Sequence, residues 1–319
     1  MKINAKSLLC AGALCAGSAF LAGCGERTDP APAPTEGTAE RAAEGEGRAP
    51  ATDTLATNQR PADAQPRDPS VIDRLRIGEF EVAVRRTDDG GQRLTVARGT
   101  REMLSRSVEA GGRLTLGSGA PESAQTVFGR GQDVTGDGTV DLIVTEFTGG
   151  SNCCTNYYIY RVGSAGPELV DEIRAEYGGR FVDLNRDGKP EFEGRDWSFA
   201  HWRASFAESP APRIVLAFDG RRYRLSPELM RTSAPSARQL EEKIESVLLD
   251  PSWEDGRPPV TLWSEALDLI YSGHPELGMR FIRMAWPSNI EGVDEFIAEF
   301  RERLNESPHA GDLNLPERG

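Results

Sequence analysis

Residues 133–144 read Asp-Val-Thr-Gly-Asp-Gly-Thr-Val-Asp-Leu-Ile-Val, and residues 183–191 repeat the spacing as Asp-Leu-Asn-Arg-Asp-Gly-Lys-Pro-Glu. Both segments carry oxygen-bearing side chains at positions 1, 3, 5 and 9 and a glycine at position 6. Calcium binds several oxygen atoms at short distance, and this glycine permits the sharp turn that brings the next carbonyl inward. Each segment also has three carboxylates. The spacing therefore predicts two calcium-binding loops in which the metal has a structural role.

The predicted ligands are the residues at positions 1, 3, 5, 7 and 9, the seventh through its backbone carbonyl. In loop one they are Asp133, Thr135, Asp137, Thr139 and Asp141. In loop two they are Asp183, Asn185, Asp187, Lys189 and Glu191. The alternative interpretation is a pair of Asp-Gly turns that hold no metal.

The two loops resemble those of the FG-GAP repeats of integrin-α-type β-propellers, also called VCBS repeats. In that family the pattern D-x-N-G-D-G-x-x-D precedes a hydrophobic strand. Here Asp141 leads directly into residues 142–144, Leu-Ile-Val, and residues 128–129, Phe-Gly, lie just upstream of loop one. Asp133 and Asp183 are 50 residues apart, close to the length of one blade. The resemblance covers roughly residues 125–225 and implies blade-like β units that bind calcium.

The chain departs from the family pattern in sequence and in length. Thr135 replaces the usual Asn or Asp, and Glu191 replaces the last Asp and is followed by Phe192. A chain of 319 residues also cannot supply every blade of a full propeller besides its other segments. We therefore expect an α+β fold: an antiparallel β domain with two propeller-blade-like calcium-loop units and a small α-helical C-terminal region, not a closed seven-bladed propeller.

The periodicity of the apolar residues divides the chain into segments. Period-two runs begin at Val71, and helical stripes begin at Ser236, which forms a capping box with Gln239. Residues 24–70 are rich in Pro, Ala, Thr, Glu and Gly, a composition that predicts disorder. The predicted segments are a signal peptide at 1–23, a disordered tether at 24–70, a β-rich FG-GAP-like domain at 71–232, a helical region at 233–308 and a flexible tail at 309–319.

A cleavage motif near the amino terminus, Leu21-Ala22-Gly23-Cys24, follows two lysines and an apolar run too short to span a bilayer. The motif resembles the lipobox of bacterial lipoproteins. The resemblance implies removal of residues 1–23, a thioether-linked diacylglycerol on Cys24 and acylation of the new amino terminus. Gly25 rather than Asp follows the cysteine, which in that family favours the outer membrane. An ordinary cleaved signal with a chance cysteine is the alternative.

The formal net charge of −13 disfavours nucleic acid as a partner. The expected partners are the membrane, through the lipid anchor, and an unidentified envelope protein or glycan. The sequence contains no G-x-S-x-G, H-E-x-x-H or P-loop motif, and we predict no catalytic residue. The interpretation is a membrane-anchored lipoprotein with a calcium-stabilised binding module in the cell envelope. The alternatives are an envelope hydrolase acting on glycans or peptides, and a structural lipoprotein with no ligand besides calcium.

Two further groups of residues are candidate functional features. Cys153 and Cys154 are the only cysteines outside the signal peptide and the lipidation site. A disulfide between these neighbours, two buried thiols and intermolecular pairing are the three alternatives. Trp197, Phe199 and His201 would share one face of a strand, where they could form a stacking platform for a sugar ring or a peptide. The alternative is that they belong to the core of the β domain.

Overall fold

Alternating apolar and charged residues form the first of three antiparallel sheets. The computed structural model describes residues 68–119, 127–150 and 154–316. The first sheet consists of β1 (Val71–Ile77), β2 (Phe80–Arg86), β3 (Gln92–Arg98) and β4 (Arg101–Val108), paired in sequence order. The turn at residues 88–91 joins β2 to β3, as the sequence predicts. The predicted signal peptide, Cys24, almost all of the tether and Cys153 lie outside the described residues.

The second sheet is the middle layer, and both of its faces are buried. Its strands are β5 (Arg113–Leu116), β6 (Arg130–Gln132), β7 (Asp141–Phe147), β8 (Thr155–Gly163) and β9 (Gly166–Ala175). On one face, Leu142 and Val144 pack against the apolar side chains of the first sheet. On the other face, Ile143 and Ile159 join a larger cluster that contains the third sheet and the helices. Neighbouring residues of β7 therefore belong to different cores.

The third sheet and the helices share one hydrophobic core. The sheet consists of β10 (Arg180–Val182), β11 (Glu191–Arg195), β12 (Arg213–Phe218) and β13 (Tyr223–Leu225), in that order. The helices are α1 (Pro227–Met230), α2 (Ala237–Leu248), α3 (Val260–Tyr271), α4 (Pro275–Met284) and α5 (Val293–Asn305). Short 3-10 helices span Phe206–Glu208, Pro251–Asp255 and Ala310–Asp312. Trp263 and Phe300 are fully buried among these helices.

The architecture agrees with an α+β fold at the level of classes. The described residues form antiparallel sheets followed by helices, and they form no closed barrel or propeller. Ser236 and Gln239 make the capping box that the sequence predicts at the start of α2. Residues 309–316, expected to belong to a flexible tail, instead pack on the domain, where Leu313 is buried and Asp312 pairs with Arg224. Among the described residues, no helix combines the length and the apolarity needed to cross a membrane.

A glycine just before loop one lets two strands approach closely. Gly129 has a φ of 72°, and a Cβ atom at this position would lie 2.3 Å from Cγ1 of the buried Ile143. Its carbonyl accepts a hydrogen bond from the Ile143 N–H at 2.9 Å. Gly179 has the equivalent place before loop two, since a Cβ there would lie 2.3 Å from Cζ of Phe192. Only glycine fits these two positions without movement of the core.

We predict that Gly129→Ala lowers the free energy of unfolding by about 2–4 kcal/mol, because the new methyl group adds overlap with Ile143 to left-handed backbone strain. The matched control is Gly99→Ala, since Gly99 has a φ of 58° and nothing within 4 Å of the new Cβ. The control should lose only about 1 kcal/mol. Thermal and urea unfolding of the full chain would measure both. Equal losses would show that the packing against Ile143 contributes nothing.

Candidate metal loops and the adjoining groove

The two aspartate loops have the same place in two similar strand arrangements. Loop one joins the short strand β6 to β7, and loop two joins the short strand β10 to β11. In each case the longer strand is followed by two more antiparallel strands. The backbone is left-handed at positions 4 and 6 of both loops: Gly136 and Gly138 in loop one, Arg186 and Gly188 in loop two. Arg186, with a φ of 63°, adopts this conformation without being glycine.

The first and fifth aspartates of each loop accept hydrogen bonds from the loop backbone. Asp133 accepts from the N–H groups of Gly136 (2.6 Å), Asp137 (3.2 Å) and Gly138 (2.8 Å). Asp183 accepts from the N–H groups of Asp187 (3.1 Å) and Gly188 (3.0 Å) in the same way. The fifth aspartates accept from the N–H groups of Thr139 (2.8 Å) and Lys189 (2.9 Å). These bonds hold the carboxylates inside each loop, on the side where calcium ligands are predicted.

The ninth residue of each loop is a buried acid at the start of a strand. Asp141 is 0% exposed, and its Oδ2 accepts from the N–H of Val134 (2.9 Å) and from both the N–H and the hydroxyl of Thr135 (3.0 Å each). Its Oδ1 is buried and has no hydrogen-bond partner among the described residues. Burial raises the pKa of Asp141, against the opposing effect of these hydrogen bonds. Glu191 is also buried and accepts from the N–H of Leu184 at 2.8 Å.

Two cations of the chain lie at loop one. Arg161 on β8 donates to Oδ2 of Asp137. Burial opposes ionisation of Asp137, but hydrogen bonds from Thr139 and Arg161 keep its pKa below the ordinary value. The side chain of Lys189 crosses from loop two, so that a Cβ atom on Gly136 would lie 2.2 Å from its Cε. The two loops are therefore in contact, and loop one is partly neutralised by the chain itself.

The carboxylates and the Thr135 hydroxyl of loop one are oxygen donors of the kind that a divalent cation binds. In the part of the chain that the structure describes, no three His, Cys, Asp or Glu side chains lie together as a ready metal site. A calcium ion in loop one would therefore also draw on the Thr135 side chain, on backbone carbonyls and on water. The unpartnered Oδ1 of Asp141 is a buried acceptor that such an ion would satisfy.

A groove of about 1040 Å³ lies next to the edges of the second and third sheets, and its lining residue Tyr223 donates a hydrogen bond from its hydroxyl to the carbonyl of Pro190 in loop two at 3.2 Å. Its walls include residues 171–176 at the end of β9, residues 222–225 at β13, and Glu306, Pro308, His309 and Asp312 near the carboxyl terminus. Charged side chains of both signs line it. They are Asp171, Glu172, Arg174, Glu176, Arg195, Asp196, Arg222, Arg224, Arg303, Glu306 and Asp312. The groove is thus neither a purely acidic pocket nor a flat apolar patch.

A buried carboxylate in this groove ties three distant segments together. Asp196 accepts from the N–H (2.8 Å) and the hydroxyl (2.5 Å) of Ser198 through Oδ1. Its Oδ2 accepts from the hydroxyls of Tyr271 and Ser307, both at 2.5 Å. Burial opposes ionisation, but the donors from Ser198, Ser307 and Tyr271 hold the pKa of Asp196 below its ordinary value. Sequence reasoning missed this residue, because its partners lie 75 and 111 residues further along the chain.

The predicted aromatic platform is not arranged as the sequence indicates. Residues 197–203 form consecutive turns rather than a strand, so Trp197, Phe199 and His201 do not share a strand face. Phe199 is 1% exposed and packs against Phe300 in the helical core. Trp197 instead stacks on Phe206, with ring centroids 5.0 Å apart. His201 is exposed and lies 5.5 Å from the Phe206 ring.

A surface aromatic cluster therefore forms from residues that the sequence reading did not group together. Tyr177, at 43% exposure, stacks on Phe206 with centroids 4.9 Å apart and meets Trp197 at 4.6 Å. Trp197 also lines the groove. Cys154 lines the same groove and is disulfide-bonded, while its partner lies outside the described residues. The pairing of Cys153 with Cys154 stays a prediction.

Comparison with known proteins gives no relative from which a function could be transferred. No protein-family model matches the chain. No curated protein matches it significantly. The function is therefore argued from the residues and their geometry alone.

We predict that Asp196→Asn lowers the free energy of unfolding at pH 7 by about 2–3 kcal/mol, because charge-assisted hydrogen bonds are lost in a buried site. The folded-state pKa of Asp196 is lower than the unfolded one. Its contribution is therefore present at neutral pH and is lost as the pH falls below about 4, through the folded-state pKa. Melting curves at several pH values should show the wild type and the variant converging in acid.

The control for this prediction is Asp255→Asn, which removes an exposed carboxylate paired with Arg257 at 2.8 Å. An exposed pair contributes about 0–1 kcal/mol, so this variant should melt like the wild type at every pH. A gap between wild type and Asp196→Asn that stays constant down to pH 2 would contradict the assigned ionised state.

Proposed function

We propose that the chain is a membrane-anchored bacterial lipoprotein with a calcium-stabilised, FG-GAP-like β module that binds another component of the cell envelope. The observation that carries the proposal is the buried, unpartnered Oδ1 of Asp141 at the end of loop one. Leaving a buried acceptor unsatisfied costs about 1–3 kcal/mol, and more when it is charged. A cation bound at this Oδ1 removes that cost; Asp133 and Asp137 join it as ligands only after their side chains rearrange, because no three acids of the described residues lie together.

Calcium competes with Arg161 for Asp137 in loop one, because the guanidinium already pairs with that carboxylate. In loop two, Arg186 adds positive charge, whereas the side chain of Lys189 extends to Gly136 and brings its charge to loop one. These cations oppose the metal, and millimolar calcium, the range of many extracellular modules, is the range that we expect to act. The predicted blade-like units then correspond to the two strand arrangements that begin with β6 and β10.

A binding role is favoured over hydrolysis because five of the six acids that line the groove are hydrogen-bonded or ion-paired; among the described residues Glu176, whose pKa is raised by burial, is the exception. Asp171 accepts from two backbone N–H groups, Asp196 accepts from three side-chain hydroxyls and a backbone N–H, and Asp312 pairs with Arg224. A general acid or base needs a carboxyl group that is available to the substrate. These carboxylates hold segments of the chain together, and we assign them positioning roles.

We predict that saturating calcium raises the melting temperature of the full chain by about 5–10 °C relative to chelator. At one hundred times Kd, binding to the folded state adds about 2.7 kcal/mol, and about 2–4 °C per kcal/mol is expected for a unit of this size. Asp137→Asn should reduce the shift, because it removes the negative charge of one predicted ligand of loop one. Differential scanning calorimetry with and without chelator measures it.

The matched control is Asp219→Asn, since Asp219 also accepts two backbone N–H groups in an exposed turn but belongs to neither loop. This variant should keep the full calcium shift. Identical melting curves of the wild type in calcium and in chelator would remove calcium from the proposal.

The lipid anchor has its own test. Mass spectrometry of the mature protein purified from a bacterial envelope should find a diacylglycerol-modified, acylated cysteine at position 24 as the first residue. Cys24→Ala should block processing and leave the first 23 residues attached. An unmodified Met1 in the wild type would contradict the lipoprotein assignment, and recovery of the lipidated protein only in the inner membrane would contradict the outer-membrane location.

A further inference from the structure

Lys189 begins in loop two and ends at loop one. Its backbone N–H donates to Oδ1 of Asp187 at 2.9 Å, which fixes the start of the residue inside loop two. The end of its side chain lies against Gly136, the fourth residue of loop one. A Cβ atom on that glycine would lie 2.2 Å from Cε and 2.8 Å from Nζ of Lys189. One ammonium group therefore connects the two acidic loops.

The ammonium of Lys189 is not tied to a single carboxylate. The residue is exposed, and its ammonium makes no hydrogen bond or salt bridge with any described residue. Lys189 and Lys243 are the only lysines after residue 23, and the other cationic side chains there, histidine apart, are arginines. An arginine forks onto one carboxylate, whereas a lysine is a compact point charge on a flexible stem. A lysine at this position can therefore neutralise either loop.

The two loops differ in how far the chain itself neutralises them. In loop one, Arg161 donates to Asp137, and the ammonium of Lys189 lies close by. In loop two, no described lysine or arginine forms a salt bridge with any of the three acids. The first calcium ion should therefore enter loop two, where no salt bridge has to be broken.

A metal ion in one loop changes where the ammonium is most stable. A divalent ion repels an ammonium group over several ångströms, and solvent and salt screen this repulsion only in part. When loop two is filled, the ammonium of Lys189 stays at loop one, where the structure places it. A second ion in loop one must then displace the ammonium, and no empty loop remains to receive it.

We propose that Lys189 is a resident cation shared by the two loops and that it makes their calcium binding anticooperative. One ion binds readily, and the second binds only at a higher calcium concentration. The carbonyl of Lys189 is a predicted ligand of loop two, whereas its ammonium sets the calcium affinity of loop one. The inference rests on the proposed calcium binding and deepens it by naming the residue that regulates the two loops.

The test is calorimetric titration of calcium chloride into the full-length protein in detergent. Lys189→Met keeps a long side chain beside Gly136 and removes its charge. The second calcium ion should bind about tenfold more tightly to this variant than to the wild type, while the affinity for the first should change by less than about threefold. One ion per wild-type chain and two per variant chain would be the extreme form of this result. A general loss of positive charge would instead tighten both steps equally.

Two further variants serve as controls. Lys189→Arg keeps the charge and should keep the wild-type separation between the two steps. Lys243→Met removes the other lysine, which pairs with Glu265 between α2 and α3, and should change neither step. At about 1 M salt the effect of Lys189→Met should fall to about twofold, because the charges are screened. Melting curves in chelator show whether each variant is folded.

Several results would overturn the shared-cation role. They are equal tightening of both steps in folded Lys189→Met, no change in either step, and a single calcium ion per chain in both the wild type and this variant. Any of these results with an intact calcium-dependent melting shift rejects the role of Lys189 alone. Absence of both the binding heat and the melting shift rejects the calcium-stabilised module itself.

Discussion

Strand β7 carries apolar side chains on both faces and therefore needs a protein layer on each side. The first sheet covers Leu142 and Val144, while the third sheet and the helices enclose Ile143. No other described strand has its first six residues all buried. Strand β7 enters the middle of the molecule from loop one. Its first residue, Asp141, is therefore buried, and the chain at Gly129 passes close to the strand. The three-layer arrangement thus depends on one central strand.

Several acidic side chains in this protein accept hydrogen bonds from backbone N–H groups in turns and loops. Asp133 and Asp183 do so in the loops, Asp171 does so between two sheet edges, and Asp196 does so beside hydroxyl donors. A carboxylate can accept several hydrogen bonds at once, so one residue can organise a whole turn. The strongly acidic composition is in this respect structural, and it gives a reason other than solubility for part of the net charge.

Sequence patterns predicted the elements whose signal is local. The apolar run at 142–144 predicts a strand, and the capping box of Ser236 and Gln239 predicts the start of a helix. The turn at 197–203 was misread because aromatic residues at every second position also mark strands, while the left-handed φ of 60° at His201 has no sequence signature without glycine. The Asp196 site and the groove depend on contacts between distant segments, and no local pattern contains that information.

Nearly every strand pairs with its nearest neighbour in the chain, so the three sheets can form one after another as the polypeptide emerges. The carboxyl-terminal segment is tied to the residues after β11 by contacts such as the hydrogen bond from Ser307 to Asp196. The last helix and the segment after it must be present before those ties close. The carboxyl-terminal segment should therefore be the last part of the chain to fold. Truncation just before Ser307 should leave the three sheets formed and remove one wall of the groove.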